Sequence, residues 1–247
     1  MTALILALLA GAVIGLALGG LGGGGSVLAV PALIYLLHFT PAEATTAGLI
    51  IVSVTSVTAL TGHARDGNVA WRTGLLFALA GIVPATIAGA AAGRLPESLL
   101  IVAFAGTAAL AALRMLRSAR SEPSGRVRPG KAGAAGAGLG AVTGFLGVGG
   151  GFLAVPALVG VLGLTMRRAV GTSLLVITVN SLAALAARAG TGTQPHWAVI
   201  APFTAAAILG AWDGKRLSKR IRSATLRTVF AYVLLAVAVF MLADALT

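Results

Sequence analysis

Ten apolar runs, at about 3–20, 27–37, 44–62, 74–93, 98–116, 132–147, 152–164, 169–187, 197–214 and 225–243, occupy nearly the whole of this 247-residue chain. One water-soluble core cannot hide that much apolar surface. The composition agrees, with 58% hydrophobic and 10% charged residues and a mean hydropathy of +1.00, where a soluble domain carries roughly 25% charge. The runs are continuous rather than alternating at period two, so helix is the form that satisfies the backbone in lipid. The chain reads as an all-α polytopic protein of the cytoplasmic membrane. Its first segment, MTALILALLAGAVIGLALGG, has neither a basic n-region nor a small-x-small cleavage site and reads as a retained span.

A polar, basic stretch, RSARSEPSGRVRPGK at 117–131, divides the chain into 1–116 and 132–247. The two parts repeat each other. LGGGGSVLAVPAL at 21–33 matches LGVGGGFLAVPAL at 146–158 in 10 of 13 positions, at an offset of 125. The same offset sets Ser53 on Thr178, Thr55 on Asn180 and Ser56 on Ser181. After a small length change near residue 200, Leu100, Phe104, Met115 and Leu116 fall on Leu226, Phe230, Met241 and Leu242.

The net charge of +12 sits in short loops between apolar runs, which is the cytoplasmic bias toward Lys and Arg and not a nucleic-acid surface. The stretches 114–131 and 215–227 each carry six basic residues and both belong in the cytoplasm. An even number of crossings must then separate them. Each part crosses an odd number of times, as two short spans or a re-entrant hairpin plus the longer runs, and the two repeats of about five segments are inverted. This topology puts 16 of the 18 basic residues inside, leaves Arg94 and Arg188 outside, and places both termini outside. The basic linker becomes a cytoplasmic loop. Zero Cys excludes thiol chemistry and thiolate metal ligands.

Gly-interrupted apolar runs at matching places in inverted repeats point to a transporter's binding site near the bilayer midplane. Here they are Gly22, Gly24, Gly25 and Ser26 in one repeat, and Gly147, Gly149, Gly150 and Gly151 in the other. Each opens a short run bearing a proline, Pro31 or Pro156. A helix broken there turns unpaired N–H groups and a positive dipole end toward an anion. Tight helix crossing through small residues is the competing role for the same glycines. No Lys-Ser/Thr follows them, so they are not a nucleotide phosphate loop, and no cofactor is called for. The third run of each repeat adds hydroxyls and one amide: Ser53, Thr55 and Ser56 in the first, Thr172, Ser173, Asn180 and Ser181 in the second. Ser53 with Ser56, and Thr178 with Ser181, share a helix face, although bonding to their own helix backbone is the ordinary use of such hydroxyls.

The paired G-x-G-G-G…P blocks, the AVGTS at 169–173 and the loops around Trp71 and Trp197 resemble the TauE/SafE sulfite exporter family of membrane permeases. The first repeat reads ATTAG at 44–48 where the second reads AVGTS. The resemblance implies movement of a small, often sulfur-containing anion such as sulfite, thiosulfate or an organosulfonate.

The ionisable residues available for proton coupling or gating are Glu43, His63, Arg65, Arg188 and Asp213, with His63 and Arg65 also readable as interfacial groups that snorkel to water. An intramembrane enzyme needs a nucleophile–base pair, paired carboxylates or a metal cluster, and three scattered His with six unpaired acids supply none. A passive anion channel would have a similar lining. The expected partners are the anion and the lipid bilayer; a homo-oligomer is compatible with such a chain, and its sequence leaves the oligomeric state open.

Overall fold

The computed structural model describes residues 2–92, 97–117, 129–145, 151–188 and 196–246. Among these residues there are ten α-helices and one π-helical turn. They are α1 (Thr2–Leu21), α2 (Gly24–Pro31) continued by the π-turn Ala32–Leu36, α3 (Pro41–Arg65), α4 (Trp71–Ala92) and α5 (Glu97–Arg117), then α6 (Pro129–Phe145), α7 (Gly151–Gly160), α8 (Met166–Arg188), α9 (Trp197–Arg220) and α10 (Ser223–Leu246). Six of the described helices are long and apolar enough to cross a membrane: α1, α3, α4, α8, α9 and α10. Leu9, Val13, Leu79, Val83, Ile87 and Val239 stand exposed on the outside of the bundle, an apolar face that belongs against acyl chains. The protein is an all-α polytopic membrane protein.

The first Gly-rich block breaks the helix at one residue. Gly22 takes φ +73°, a left-handed conformation that favours glycine, and its N–H returns to the Leu18 carbonyl at 2.9 Å. The chain then folds back so that Gly25 rests against the backbone of Ile14 and Leu18 in α1. From Gly24 to Leu36 the return leg rises only about 20 Å, short of the hydrocarbon thickness of about 30 Å. Pro31 supplies no N–H, and the turn after it widens into the π form. α7, at ten residues, is shorter still. The start of α3 is fixed differently: Thr40 caps it, its N–H and hydroxyl on the Glu43 carboxylate at 3.0 and 2.7 Å, with Pro41 in the first turn.

Two helix pairs pack with almost no side chain between them. Gly11, Gly15 and Gly19 of α1 lie on the Phe203, Ala207 and Ala211 backbone of α9, and Gly210 and Gly214 of α9 lie on Ala12 and Leu16. Gly136 and Gly140 of α6 lie on Phe77 and Gly81 of α4. Residue numbers rise together along both contacts, so α1 runs parallel to α9 and α6 parallel to α4. The buried apolar side chains form two clusters. One joins α1, α2, α3 and α9 with the middle of α8; the other joins α4, α5, α6, α7 and α10 with α8. Helices from both sequence halves enter each cluster.

A methyl group at Gly15 would strike the Ala207 carbonyl. Gly15→Ala is therefore expected to cost about 1–3 kcal/mol. Gly106→Ala in α5, where an added Cβ meets nothing within 4 Å, should instead gain up to about 1 kcal/mol. Thermal unfolding in detergent compares them, and equal melting temperatures would remove the α1–α9 contact from its structural role.

Candidate functional site

The first helix break meets the head of α7. Gly23 lies against Gly151 and Phe152 at the start of α7, and Gly22 lies against the Ser173 hydroxyl, the Val170 carbonyl and Val155. The N-termini of α2 and α7 therefore converge beside the first turns of α8. Gly24 and the backbone of Ser26 open α2, and Gly151 is buried at the head of α7. Gly25 faces α1, so its missing side chain serves helix packing. Gly147, Gly149 and Gly150 lie outside the described residues.

The polar residues of α3 and α8 also meet. Thr178 donates to Ser56 at 3.0 Å across the two helices, with both side chains buried. Most hydroxyls are otherwise taken by their own helix. Thr55 donates to Ile51, Ser56 to Ser53, Ser173 to Val170, Thr178 to Leu174 and Ser181 to Ile177, at 2.6–3.1 Å. Thr172 accepts the Ala70 N–H at 3.0 Å and ties α8 to the turn before α4. Three described polar atoms on these helices are left over. Ser53 Oγ, Asn180 Oδ1 and, at the far end of α3, His63 Nδ1 are buried without a hydrogen-bond partner. Ser53 is one turn from Ser56 on α3, and Asn180 lies within about 10 Å of Ser173 along α8.

The five ionisable residues are not gathered at this place. Glu43 sits at the start of α3, paired with His196 at 3.3 Å. His63 lies about 30 Å away along the same helix. Arg65 is exposed, and Asp213 pairs with Arg216 at 3.5 Å at the surface. Arg188 ends α8, and its side chain lies outside the described set. His63 does not snorkel to an interface: it is buried, with Nε2 3.0 Å from the Gly19 carbonyl of α1.

Beside His63 is a cluster that the sequence reading missed. Asp66, just past the end of α3, bonds Lys215 and Lys219 of α9 at 2.9 Å each. Lys215 also donates to the Gly62 carbonyl at 2.6 Å, and Arg167 at the start of α8 donates to the Lys219 carbonyl at 3.1 Å. Lys215 and Lys219 are four apart on one helix face, but nothing local in the sequence identifies their acidic partner. α4 therefore begins where α9 ends. Partial burial opposes ionisation of Asp66, but its hydrogen bonds and charge attraction to Lys215 and Lys219 prevail and hold its carboxyl below the ordinary 3.8. A lowered folded-state pKa stabilises above the unfolded value and is lost as pH falls through the lowered one. Asp66→Asn should cost about 1–2 kcal/mol at neutral pH. The gap in melting temperature between wild type and variant should begin to narrow below about pH 4 and close once the lowered carboxyl is protonated; a gap that acid does not narrow would refute the ion-pair account.

Comparison with known proteins agrees with this architecture. The profile described as "Sulfite exporter TauE/SafE" matches residues 7–241. Two proteins of Xylella fastidiosa, from strains Temecula1 / ATCC 700964 and 9a5c, are each named "Probable membrane transporter protein"; each is 32% identical to this chain over 248 residues, covering 97% of it and 95% of the relative. Among the described residues no group of His, Cys, Asp or Glu is arranged to hold a metal. A bundle of lipid-facing helices in which the break at Gly22 meets the head of α7, matched by this profile over nearly its whole length, is a multi-pass transporter and not an enzyme, and the chain belongs to the sulfite exporter TauE/SafE family.

Proposed function

We propose that the chain is a secondary transporter that carries a small sulfur-containing anion, such as sulfite, thiosulfate or a short organosulfonate, across the cytoplasmic membrane by alternating access. The observation that carries the reading is the pair of unpartnered buried atoms, Ser53 Oγ and Asn180 Oδ1, beside the Ser56–Thr178 contact. A buried polar group without a partner costs about 1–3 kcal/mol, and a transiently bound ligand relieves that cost. Ser53 offers a hydroxyl donor, and rotation of the Asn180 amide exchanges its acceptor for its NH₂. The α2 and α7 N-termini add positive dipole ends without a buried Lys or Arg, a way to hold an anion that must also leave. The family's name and the relatives' names support the transporter class.

The inverted-repeat organisation belongs to the same proposal, with 1–116 and 132–247 as the repeats and 117–131 as the cytoplasmic linker. Gly11 on Phe203 and Gly136 on Phe77 are equivalent contacts in the sequence register, as are Gly15 on Ala207 and Gly140 on Gly81. α1 is parallel to α9, α6 is parallel to α4, and α4 starts where α9 ends, so α1 and α6 run in opposite senses. The same exchange that pairs Ser56 with Thr178 pairs Ser181 with Ser53, whose hydroxyl is the unpartnered one. The moving bodies are the two packed clusters, since each repeat is locked to the other through glycine. With the basic end in the cytoplasm, the breaks meet inside the bilayer and the Glu43–His196 end faces outward.

Flux of labelled sulfite, thiosulfate and a short sulfonate into proteoliposomes, with and without an imposed proton gradient, is the test. Wild-type flux should saturate with anion concentration. Ser53→Ala and Asn180→Leu should each reduce it about tenfold or more, the loss of a hydrogen bond to a charged ligand. Ser53→Ala should melt no lower than wild type, because it removes an unsatisfied group. Undiminished flux in both variants refutes the site, and flux that rises without saturating establishes the channel instead.

A further inference from the structure

Away from the glycine breaks, a cavity of about 640 Å³ opens between α5, α6 and α7, with α10 at one end. It exists because α7 stops after ten residues and leaves a space beside its last turn. Its walls are apolar, and Leu110, Val142 and Val161 in its lining are exposed on the surface that faces lipid. Three arginines enter the lining: Arg114 and Arg117 from the last turn of α5, and Arg227 from the beginning of α10. No acidic side chain is among the described lining residues. The flanking loops carry the basic residues of the cytoplasmic side.

At the equivalent place in the sequence register two aromatic rings meet. The offset that aligns the Gly-rich blocks sets Tyr35 on Gly160, and the register that sets Met115 on Met241 sets Arg114 on Phe240. Tyr35 and Phe240 pack edge to face with ring centroids 5.7 Å apart. Their counterparts, Gly160 and Arg114, line the cavity. One place is therefore occupied by two rings, one from each sequence half, and the other has a glycine and a guanidinium in their stead.

We propose that this cleft binds one anionic phospholipid of the inner leaflet, its acyl chain between α5 and α7 and its phosphate on Arg114 and Arg117. An apolar slot open to the hydrocarbon and ending in cations at headgroup level is complementary to that molecule and to neither a zwitterionic lipid nor a free anion. The site is separate from the one proposed for transport, and its test needs no transport readout.

Native mass spectrometry of the full chain in detergent, titrated with phosphatidylglycerol, phosphatidylcholine or inorganic phosphate, reads the occupancy directly. One phosphatidylglycerol should bind at least about tenfold more tightly than phosphatidylcholine, each arginine near the headgroup contributing a few-fold. Gly160→Tyr should abolish that binding by filling the slot; an added Cβ meets nothing within 4 Å there. R114Q/R117Q tests the charge independently and should erase the preference while leaving apolar binding in place. Equal binding of the two lipids, or a preference that survives both variants, overturns the proposal. So does displacement of the lipid by inorganic phosphate at equal concentration, which would make the cleft a free-anion site.

Discussion

In lipid, two helices gain nothing by hiding leucines from solvent, because acyl chains are as apolar as leucine. Close van der Waals contact is left to hold them together, and α1–α9 and α4–α6 obtain it by omitting side chains at four-residue intervals, at Gly11, Gly15 and Gly19 and at Gly136 and Gly140. The rest of the bundle follows from these contacts. They bring backbone carbonyls of one helix against Cα atoms of the other, so neither pair can shift sideways without opening a gap. With α1 fixed on α9, the C-terminal turn of α1 is held where His63 reaches the Gly19 carbonyl. The reversal at Gly22 then delivers α2 to the N-terminus of α7.

Within this frame the polar side chains divide by function. Thr55, Ser173 and Ser181 close onto carbonyls one turn back and make the buried hydroxyls of α3 and α8 harmless. Thr178 and Ser56 do the same and also bond each other, which fixes the register of α3 against α8. Ser53 belongs to the same face and is the exception. Buried polar atoms are almost always satisfied in native structures, and it is this exception on which the proposed anion site rests.

The helices and the break at Gly22 were legible in the sequence, because each is a local pattern. Long apolar runs dictate helix, and a duplicated glycine block marks its own break. Which glycines face a ligand and which face a helix was not legible. Gly22 and Gly25 look alike in the sequence, yet one turns the chain at positive φ and the other rests on Ile14 and Leu18. The difference depends on where α1 lies, and α9 sets that from nearly 200 residues away. His63 looked interfacial because it neighbours Arg65; its burial follows from the α1–α9 pair standing over the end of α3. Asp66 was invisible for the same reason, since both of its lysines come from α9.

The two ends of α3 are held with unequal strength. At the basic end Asp66, Lys215, Lys219, Gly62 and Arg167 join α3, α8 and α9 by four contacts of 2.6–3.1 Å. Ala70 adds a bond to Thr172, whose counterpart in the first repeat is Ala47, with no hydroxyl to accept one. At the other end the Glu43–His196 pair is 3.3 Å long with the histidine side chain 59% exposed, a pair of little strength in water. Both sets of ties join α3 to α9 within one packed cluster, so they hold that cluster as a unit, most firmly at its basic end.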